Sequence, residues 1–122
     1  IALSIAHDSH NIIVVGTNDD DMAFAVQELI DQGGGIVIAE GGIVLERLPM
    51  PIAGLMSDQS GEWVSEKLSR IHQAAIDSLG VHADLEPVML LCFMALPVIP
   101  ELKLTDMGLF DVMKFDFIDI EA

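Results

Sequence analysis

The residues whose types and spacing could do chemistry lie near the start of the chain, in the segment His-Asp-Ser-His. His7 and His10 stand three positions apart, with Asp8 between them. On a helix, this spacing would direct two imidazoles toward one metal ion. β-branched runs flank the segment on both sides, however, and predict strands joined by a turn, so the two rings need not converge. Because His72 and His82 lie in unrelated contexts, we expect no metal site and no catalytic residue within this chain.

The simplest interpretation of this segment is a hairpin turn. Asp8, Ser9 and Asn11 have side chains that commonly hydrogen-bond to the backbone of a turn, so we expect them to hold it together. A few residues later, Asn18 or Thr17 is positioned to cap a helix. A helix N-terminus can bind an anion, but the three aspartates that follow would repel a phosphate.

Composition narrows the functional classes. The chain has 122 residues, the size of one domain, and carries 5 Lys and Arg against 20 Asp and Glu, for a net charge of −15. Nucleic-acid binding needs a basic footprint, and an anionic membrane would repel this chain, so we expect neither partner. With 52% apolar residues the chain should fold. Its mean hydropathy of +0.52 leads us to expect that a partner covers part of the apolar surface.

Three further features concern the setting of the domain. Cys92 is the single cysteine, and its apolar neighbours predict a small buried side chain in a reducing compartment, which indicates the cytoplasm. The longest apolar run, residues 87–100, is too short to span a bilayer as a helix, which takes about 20 residues. The chain begins with Ile1 rather than methionine, so we interpret it as part of a larger protein.

Apolar periodicity and turn signals predict an α/β fold in the loose, α+β-like sense: a mixed β-sheet with two main helices packed on it. Residues 3–7 and 11–16 are predicted to form a hairpin. A helix should follow and end at the glycines 33–35, before two more strands at residues 35–39 and 43–48. The second and third strands should be parallel neighbours or near neighbours, joined by a right-handed crossover.

The second half of the chain is predicted less completely. Ser60 should cap a longer amphipathic helix that Gly80 ends. Residues 88–96 are so continuously apolar that periodicity does not distinguish a buried strand from a short helix. Residues 114–120 alternate between apolar and acidic, which predicts a strand near a sheet edge. The predicted order is β-β-α-β-β followed by α-β, in a single domain of residues 1–122.

Three long motifs add a resemblance to these patterns. They are SIAHDSHNIIVVGTNDDDMAFAVQELIDQGGGIVI, LPMPIAGLMSD and MALPVIPELKLTDMGLFDV, in this order along the chain. With them, essentially the whole sequence resembles the C-terminal domain of bacterial and archaeal adenine deaminases, in the amidohydrolase superfamily. The resemblance implies a parent hydrolase that converts adenine and water to hypoxanthine and ammonia in purine salvage. It also implies an upstream catalytic (β/α)-barrel with a divalent manganese or iron centre, and no cofactor or activity in this chain alone.

The resemblance places the histidine segment in the motif that best marks the domain. We expect His7, Asp8, His10, Asn11 and Asn18 to face the active site or the interface with the barrel. There they would either order water and gate substrate, or join the two domains. The expected partners are the upstream barrel, adenine as substrate of the parent enzyme, and other copies of the chain in a homo-oligomer. The alternative, from another functional class, is a stand-alone binding or oligomerisation module without catalysis.

Overall fold

A four-stranded sheet with helices on both faces forms the first part of the fold, and a three-stranded sheet follows it. The computed structural model describes residues 1–120. In chain order, the helices and strands are β1 (Ala2–Leu3), β2 (Ile13–Val14), α1 (Asp19–Asp31), β3 (Gly35–Glu40), β4 (Ile43–Pro49), α2 (Gly61–Asp77), α3 (Pro87–Cys92), β5 (Leu102–Thr105), β6 (Gly108–Asp111) and β7 (Asp116–Phe117). This arrangement confirms the predicted α+β class with two main helices.

The first sheet has the order β2-β1-β3-β4. Because β1 lies between β2 and β3 and is antiparallel to both, β2 and β3 run in the same direction without being neighbours. This is the near-neighbour arrangement that the sequence predicted, with α1 in the connection. The predicted hairpin is much shorter than expected, because the chain leaves the sheet after Leu3 and returns only at Ile13.

The central strand β3 is buried on both faces, because successive side chains of a strand point to opposite sides. Ile36 and Ile38 belong to the core that α2 and α3 cover. Val37 and Ala39 belong to the core that α1 covers. Burying one branched apolar side chain contributes about 1.5–3 kcal/mol, so β3 holds helices on both sides of the sheet.

The neighbouring strand β4 contacts the two main helices through adjacent charged residues. Arg47 forms an ion pair with Glu28 of α1, at 2.8 Å. Glu46 points to the opposite face, where the ammonium group of Lys67 on α2 lies 3.2 Å away. All four side chains are partly exposed, so each pair contributes at most about 1 kcal/mol. The alternation of the strand nevertheless gives each helix its own charged contact.

Both main helices begin at local capping signals. Asn18, rather than Thr17, caps α1, because its Oδ1 accepts a hydrogen bond from the N–H of Asp21 at 2.8 Å. Ser60 caps α2 by accepting from the N–H of Trp63 at 3.3 Å. These contacts confirm the predicted start of each helix.

In the described part of the chain, no helix combines the length and the apolar character needed to cross a membrane.

The end of the chain departs furthest from the sequence predictions. The continuous apolar run begins as the helix α3 and passes into turns around Pro97 and Pro100. Strands β5 and β6 then form a hairpin that the sequence did not predict. The strand predicted at residues 114–120 is reduced to the two-residue β7, at the edge of the second sheet. Phe115 interrupts the extended backbone there, because its φ of 55° is left-handed.

Candidate functional site

The segment with the two histidines lies in the connection between β1 and β2. Two backbone hydrogen bonds hold it in place: the N–H of His7 donates to the carbonyl of Cys92 at 2.8 Å, and the N–H of His10 donates to the carbonyl of Ala6 at 2.7 Å. The His7 ring also meets the Phe93 ring edge to face, with centroids 5.7 Å apart. The segment is therefore fixed to the end of α3, while its polar side chains are exposed.

The turn is not held together as the sequence predicted. Within residues 1–120, the side chains of Asp8, Ser9 and Asn11 make no hydrogen bond. That expectation is wrong because the backbone of the turn finds its partners elsewhere: in Ala6, and in Cys92, far along the chain. These polar side chains contribute nothing to holding the turn, so they are available to a partner.

The histidines do not form a metal site with other residues of the described chain. Between residues 1 and 120, no group of three or more His, Cys, Asp or Glu side chains is arranged to hold a metal ion. The Nδ1 of His72 instead lies 3.7 Å from a carboxylate oxygen of Glu86, and that of His82 lies 3.7 Å from Asp84. The histidines and their acidic neighbours therefore do not fit the divalent centre that the resemblance implies, so we assign them none of its chemistry.

Asn18 lies beside a different opening in the surface. Its Nδ2 donates to Oδ2 of Asp21 at 3.1 Å, and the same carboxylate accepts from the N–H groups of Gly41 at 3.1 Å and Gly42 at 3.0 Å. The hydrogen bond from Asn18, followed by those from the two glycines, lowers the pKa of Asp21. The carboxylate thus joins the start of α1 to the β3–β4 turn, beside a cleft of about 350 Å³ that Asn18 helps to line. From the sequence, Asp21 was predicted only to lie near the helix N-terminus.

Asn11 lines a separate groove between β2 and the β5–β6 hairpin. This groove has a volume of about 350 Å³, and Ile12, Leu104 and Asp106 also line it. The candidate residues therefore divide between two openings, with Asn11 at one and Asn18 at the other. Leu104 and Asp106 were not among the predicted site residues, because the hairpin that carries them was not predicted.

Ser4 is a polar residue that the sequence analysis did not single out. Its Oγ accepts a hydrogen bond from the N–H of Gly35 at 2.8 Å and donates one to the carbonyl of Gly54 at 2.6 Å. Ser4 therefore fixes the point where the chain leaves β1 toward the histidine segment. The signal that was present is a lone hydroxyl within the apolar run Ile-Ala-Leu-Ser-Ile-Ala.

Cys92 is buried, as its apolar neighbours predicted. Burial raises the pKa of its thiol, and the negative charge of Glu86 raises it further. A protonated, buried thiol is a poor nucleophile. The contribution of Cys92 to the segment is its backbone carbonyl, which accepts from His7.

These features define a class of protein: a small α+β domain that presents an exposed polar segment beside open grooves. The profile of the adenine deaminase C-terminal domain matches residues 1–116, and the chain belongs to this family. It is 70% identical over 122 residues to adenine deaminase 2 of Desulfotalea psychrophila, 52% over 118 to the adenine deaminase of Clostridium acetobutylicum and 55% over 119 to that of Halalkalibacterium halodurans. These alignments cover 100%, 97% and 98% of this chain but only 21%, 21% and 20% of the three relatives. The chain thus spans about a fifth of the length of these relatives.

Proposed function

We propose that this chain is the C-terminal domain of an adenine deaminase whose catalytic portion lies in the rest of the polypeptide. The family match over residues 1–116 carries this proposal, because relatives named adenine deaminase match the chain with only about a fifth of their length. The whole protein would convert adenine and water to hypoxanthine and ammonia in purine salvage. Its upstream barrel would hold a divalent manganese or iron ion, which activates water. The proposal extends to a homo-oligomeric enzyme that works in the cytoplasm. Within this chain, the lone Cys92 supports the compartment only.

Within that enzyme, we assign the histidine segment to contact with the catalytic portion. The support for this assignment is that backbone atoms hold the segment, while the side chains of His7, Asp8 and His10 are exposed. Exposed polar groups on a loop that a rigid scaffold positions are suited to recognition or to ordering water at a neighbouring site. The segment therefore either orders water and gates substrate, or joins the two domains.

A chimeric enzyme tests the proposed function. In this chimera, the present chain replaces the matching segment of the Desulfotalea psychrophila relative, to which it is 70% identical. We expect the chimera to release ammonia from adenine at a rate close to that of the unaltered relative. The present chain alone, given adenine with manganese or iron, should release none above buffer. A folded chimera without deaminase activity, or an isolated chain with turnover, would contradict the proposal.

Substitutions in the histidine segment test its assigned role. His7→Ala removes one imidazole, and His10→Asn removes the other with a residue that tolerates the left-handed φ of 56° at this position. Because its side chain is exposed, His10→Asn should alter the unfolding free energy of the isolated chain by less than about 0.5 kcal/mol. His7→Ala also removes the ring contact with Phe93, so its loss should stay below about 1.5 kcal/mol. In the chimera, we expect turnover to fall about tenfold, which corresponds to about 1.4 kcal/mol in the barrier. Ser9→Ala, in the same exposed segment, is the matched control and should change neither quantity.

Metal content of the same variants separates the two roles. Lower turnover at constant metal content supports water ordering or gating. Lower turnover together with loss of metal supports a contact that shapes the metal site. If the isolated variants unfold and the chimeras lose activity only in proportion, the histidines act within the fold of this domain, and the assignment is wrong.

A further inference from the structure

The second sheet exposes large apolar side chains that the rest of the described chain leaves uncovered. We define the C-terminal apolar surface as the exposed apolar side chains around this sheet. Leu102 and Leu104 lie on the face toward the β2 groove and Phe117 lies on the opposite face, while Met107, Met113 and Phe115 lie in the turns. Met107 is 76% exposed and Met113 is 71% exposed. The only aromatic ring of this sheet that is buried is Phe110, which contacts Phe115 and Phe117 at centroid distances of 5.4 Å and 5.3 Å. So small an apolar core is marginal for a three-stranded sheet, which gains stability from a further layer.

This surface is fixed to the same part of the fold as the histidine segment. The N–H of Leu104 on β5 donates to the carbonyl of Met94 at 2.9 Å, while the carbonyl of Cys92, two positions earlier, accepts from His7. The last residue of α3 therefore binds the histidine segment, and the turn that follows binds the second sheet. A partner that covers the C-terminal apolar surface would also lie close to His7.

The groove between β2 and the β5–β6 hairpin continues the apolar surface toward this segment. Leu104 lines the groove on one side, and Ile12, which is 46% exposed, lines it on the other. Val15 and Ile1 donate to each other's carbonyls, both at 2.9 Å. Along an antiparallel pair, hydrogen-bonded residues alternate with residues whose N–H and carbonyl point to the other side. The N–H and carbonyl of Val14 therefore point away from β1. No other strand of the described residues pairs with the outer edge of β2, and an unpaired edge can accept an added strand.

Charge decides between a second copy of this chain and a different partner. Glu101, Asp106 and Asp116 lie exposed among the apolar side chains. The exposed cation of this surface, Lys114, already pairs with Asp111 at 3.3 Å. Lys103 is buried and donates to the carbonyls of Pro100 and Leu102. A twofold dimer through this face would bring the exposed carboxylates of both copies into one interface, and the whole chain carries −15. A partner of different sequence avoids this repulsion.

Most of the length of each relative lies outside the segment that matches this chain. We infer that the C-terminal apolar surface and the adjoining β2 groove are the docking surface for the catalytic portion of the same polypeptide, and that docking brings the histidine segment against that portion. This inference rests on the proposed function and deepens it, because it names the face of the domain that meets the catalytic portion. The edge of β2 would receive an extended segment of that portion.

Site-specific labelling in the chimera described above tests the inference. Met107→Cys and Met113→Cys each place a thiol on the apolar surface, and Ile43→Cys, at a position that is 65% exposed on β4, is the matched control. A thiol reagent is applied to the isolated chain and to the chimera, and modification is quantified peptide by peptide by mass spectrometry. We expect labelling at 107 and 113 to be at least about tenfold slower in the chimera, since tenfold protection needs only about 1.4 kcal/mol of interface stability. Labelling at 43 should be equally fast in both.

Crosslinking from Lys114, whose side chain is 73% exposed within this surface, identifies what covers it. Chimeras with and without ¹⁵N are mixed, so that links within one polypeptide are distinguished from links between two. Intrachain links from Lys114 to the catalytic portion support the inference. Links that join two copies would overturn the inference in favour of a dimer interface. Slower labelling at 107 and 113 in the isolated chain as its concentration rises would have the same meaning. An active chimera in which 107 and 113 label at the rates of the isolated chain would also overturn the inference, but it would leave the proposed function intact. An inactive chimera would count against the proposed function itself.

Discussion

Replacing Ser4 by alanine should weaken the domain well beyond what loss of one hydroxyl on a surface would do. The Oγ of Ser4 joins three segments, since it accepts from Gly35 at the start of β3 and donates to Gly54 in the loop after β4. Ser4→Ala removes both hydrogen bonds at once. The backbone hydrogen bond from the N–H of Ser4 to the carbonyl of Gly35, at 3.1 Å, is retained, so the chain should keep its path while two partners lose their bonds.

The size of the effect follows from these contacts. Each hydrogen bond contributes about 1 kcal/mol net, and more where the remaining partner is shielded from water. Both bonds are partly buried, so we expect Ser4→Ala to lower the free energy of unfolding by about 2 kcal/mol. For a chain of this length, that corresponds to a fall of about 6–10 °C in Tm.

Chemical denaturation of the isolated chain measures this loss, and amide hydrogen exchange locates it. The amide of Gly35 should exchange faster in Ser4→Ala, because its acceptor is gone. Ser9→Ala is the control, since it deletes the same hydroxyl at an exposed position, and its unfolding free energy should stay within about 0.5 kcal/mol of wild type. If Ser4→Ala were as stable as Ser9→Ala and left exchange at Gly35 unchanged, the reasoning from these two bonds would be refuted.

Two other perturbations should have equally specific results. Gly35→Ala should lower the free energy of unfolding by more than about 3 kcal/mol, because φ is +113° and the new Cβ would overlap the carbonyl of Leu48. Gly41→Ala, with φ of +59° and open space around it, should lower it by only about 1–2 kcal/mol in the same denaturation assay. Equal losses in the two variants would contradict the steric argument. The folded pKa of Asp21 lies below its ordinary value of 3.8, so its hydrogen bonds stabilise the fold at pH above that value and are lost as the pH falls through the folded pKa. Asp21→Asn should therefore lose stability relative to wild type at pH 6 but much less at pH 3, whereas a difference that does not change with pH would show that this charge has no part in the stabilisation.

Elements whose ends depend on neighbours in sequence were predictable. The cap at Asn18 and the cap at Ser60 both follow from short polar side chains in front of an apolar periodic run, and both are present. The turn between β3 and β4 was equally local, since Gly41 and Gly42 each adopt a left-handed φ. In such cases, the residues that determine the structure lie within a few positions of it.

Features that depend on distant parts of the chain were not predictable from the patterns used. The segment at His7 is held by the carbonyl of Cys92, and no local pattern connects these positions. The hairpin of β5 and β6 is an exception, because a local signal was present and was missed: Leu102 and Leu104 alternate with Lys103 and Thr105 ahead of a turn that contains Gly108. The division of the candidate residues between two openings likewise depends on this hairpin, which provides one wall of the groove beside Asn11.

The backbone hydrogen bonds of His7 and His10 have a consequence for how this family can change. Main-chain atoms hold the segment, so the identities of its exposed side chains are largely uncoupled from folding. Any residue except proline can supply the two N–H donors, although the left-handed φ of 56° at position 10 disfavours β-branched residues. On the proposed function, selection on these side chains would act on their contact with the catalytic portion, and substitutions there would accumulate without first requiring compensation in the core.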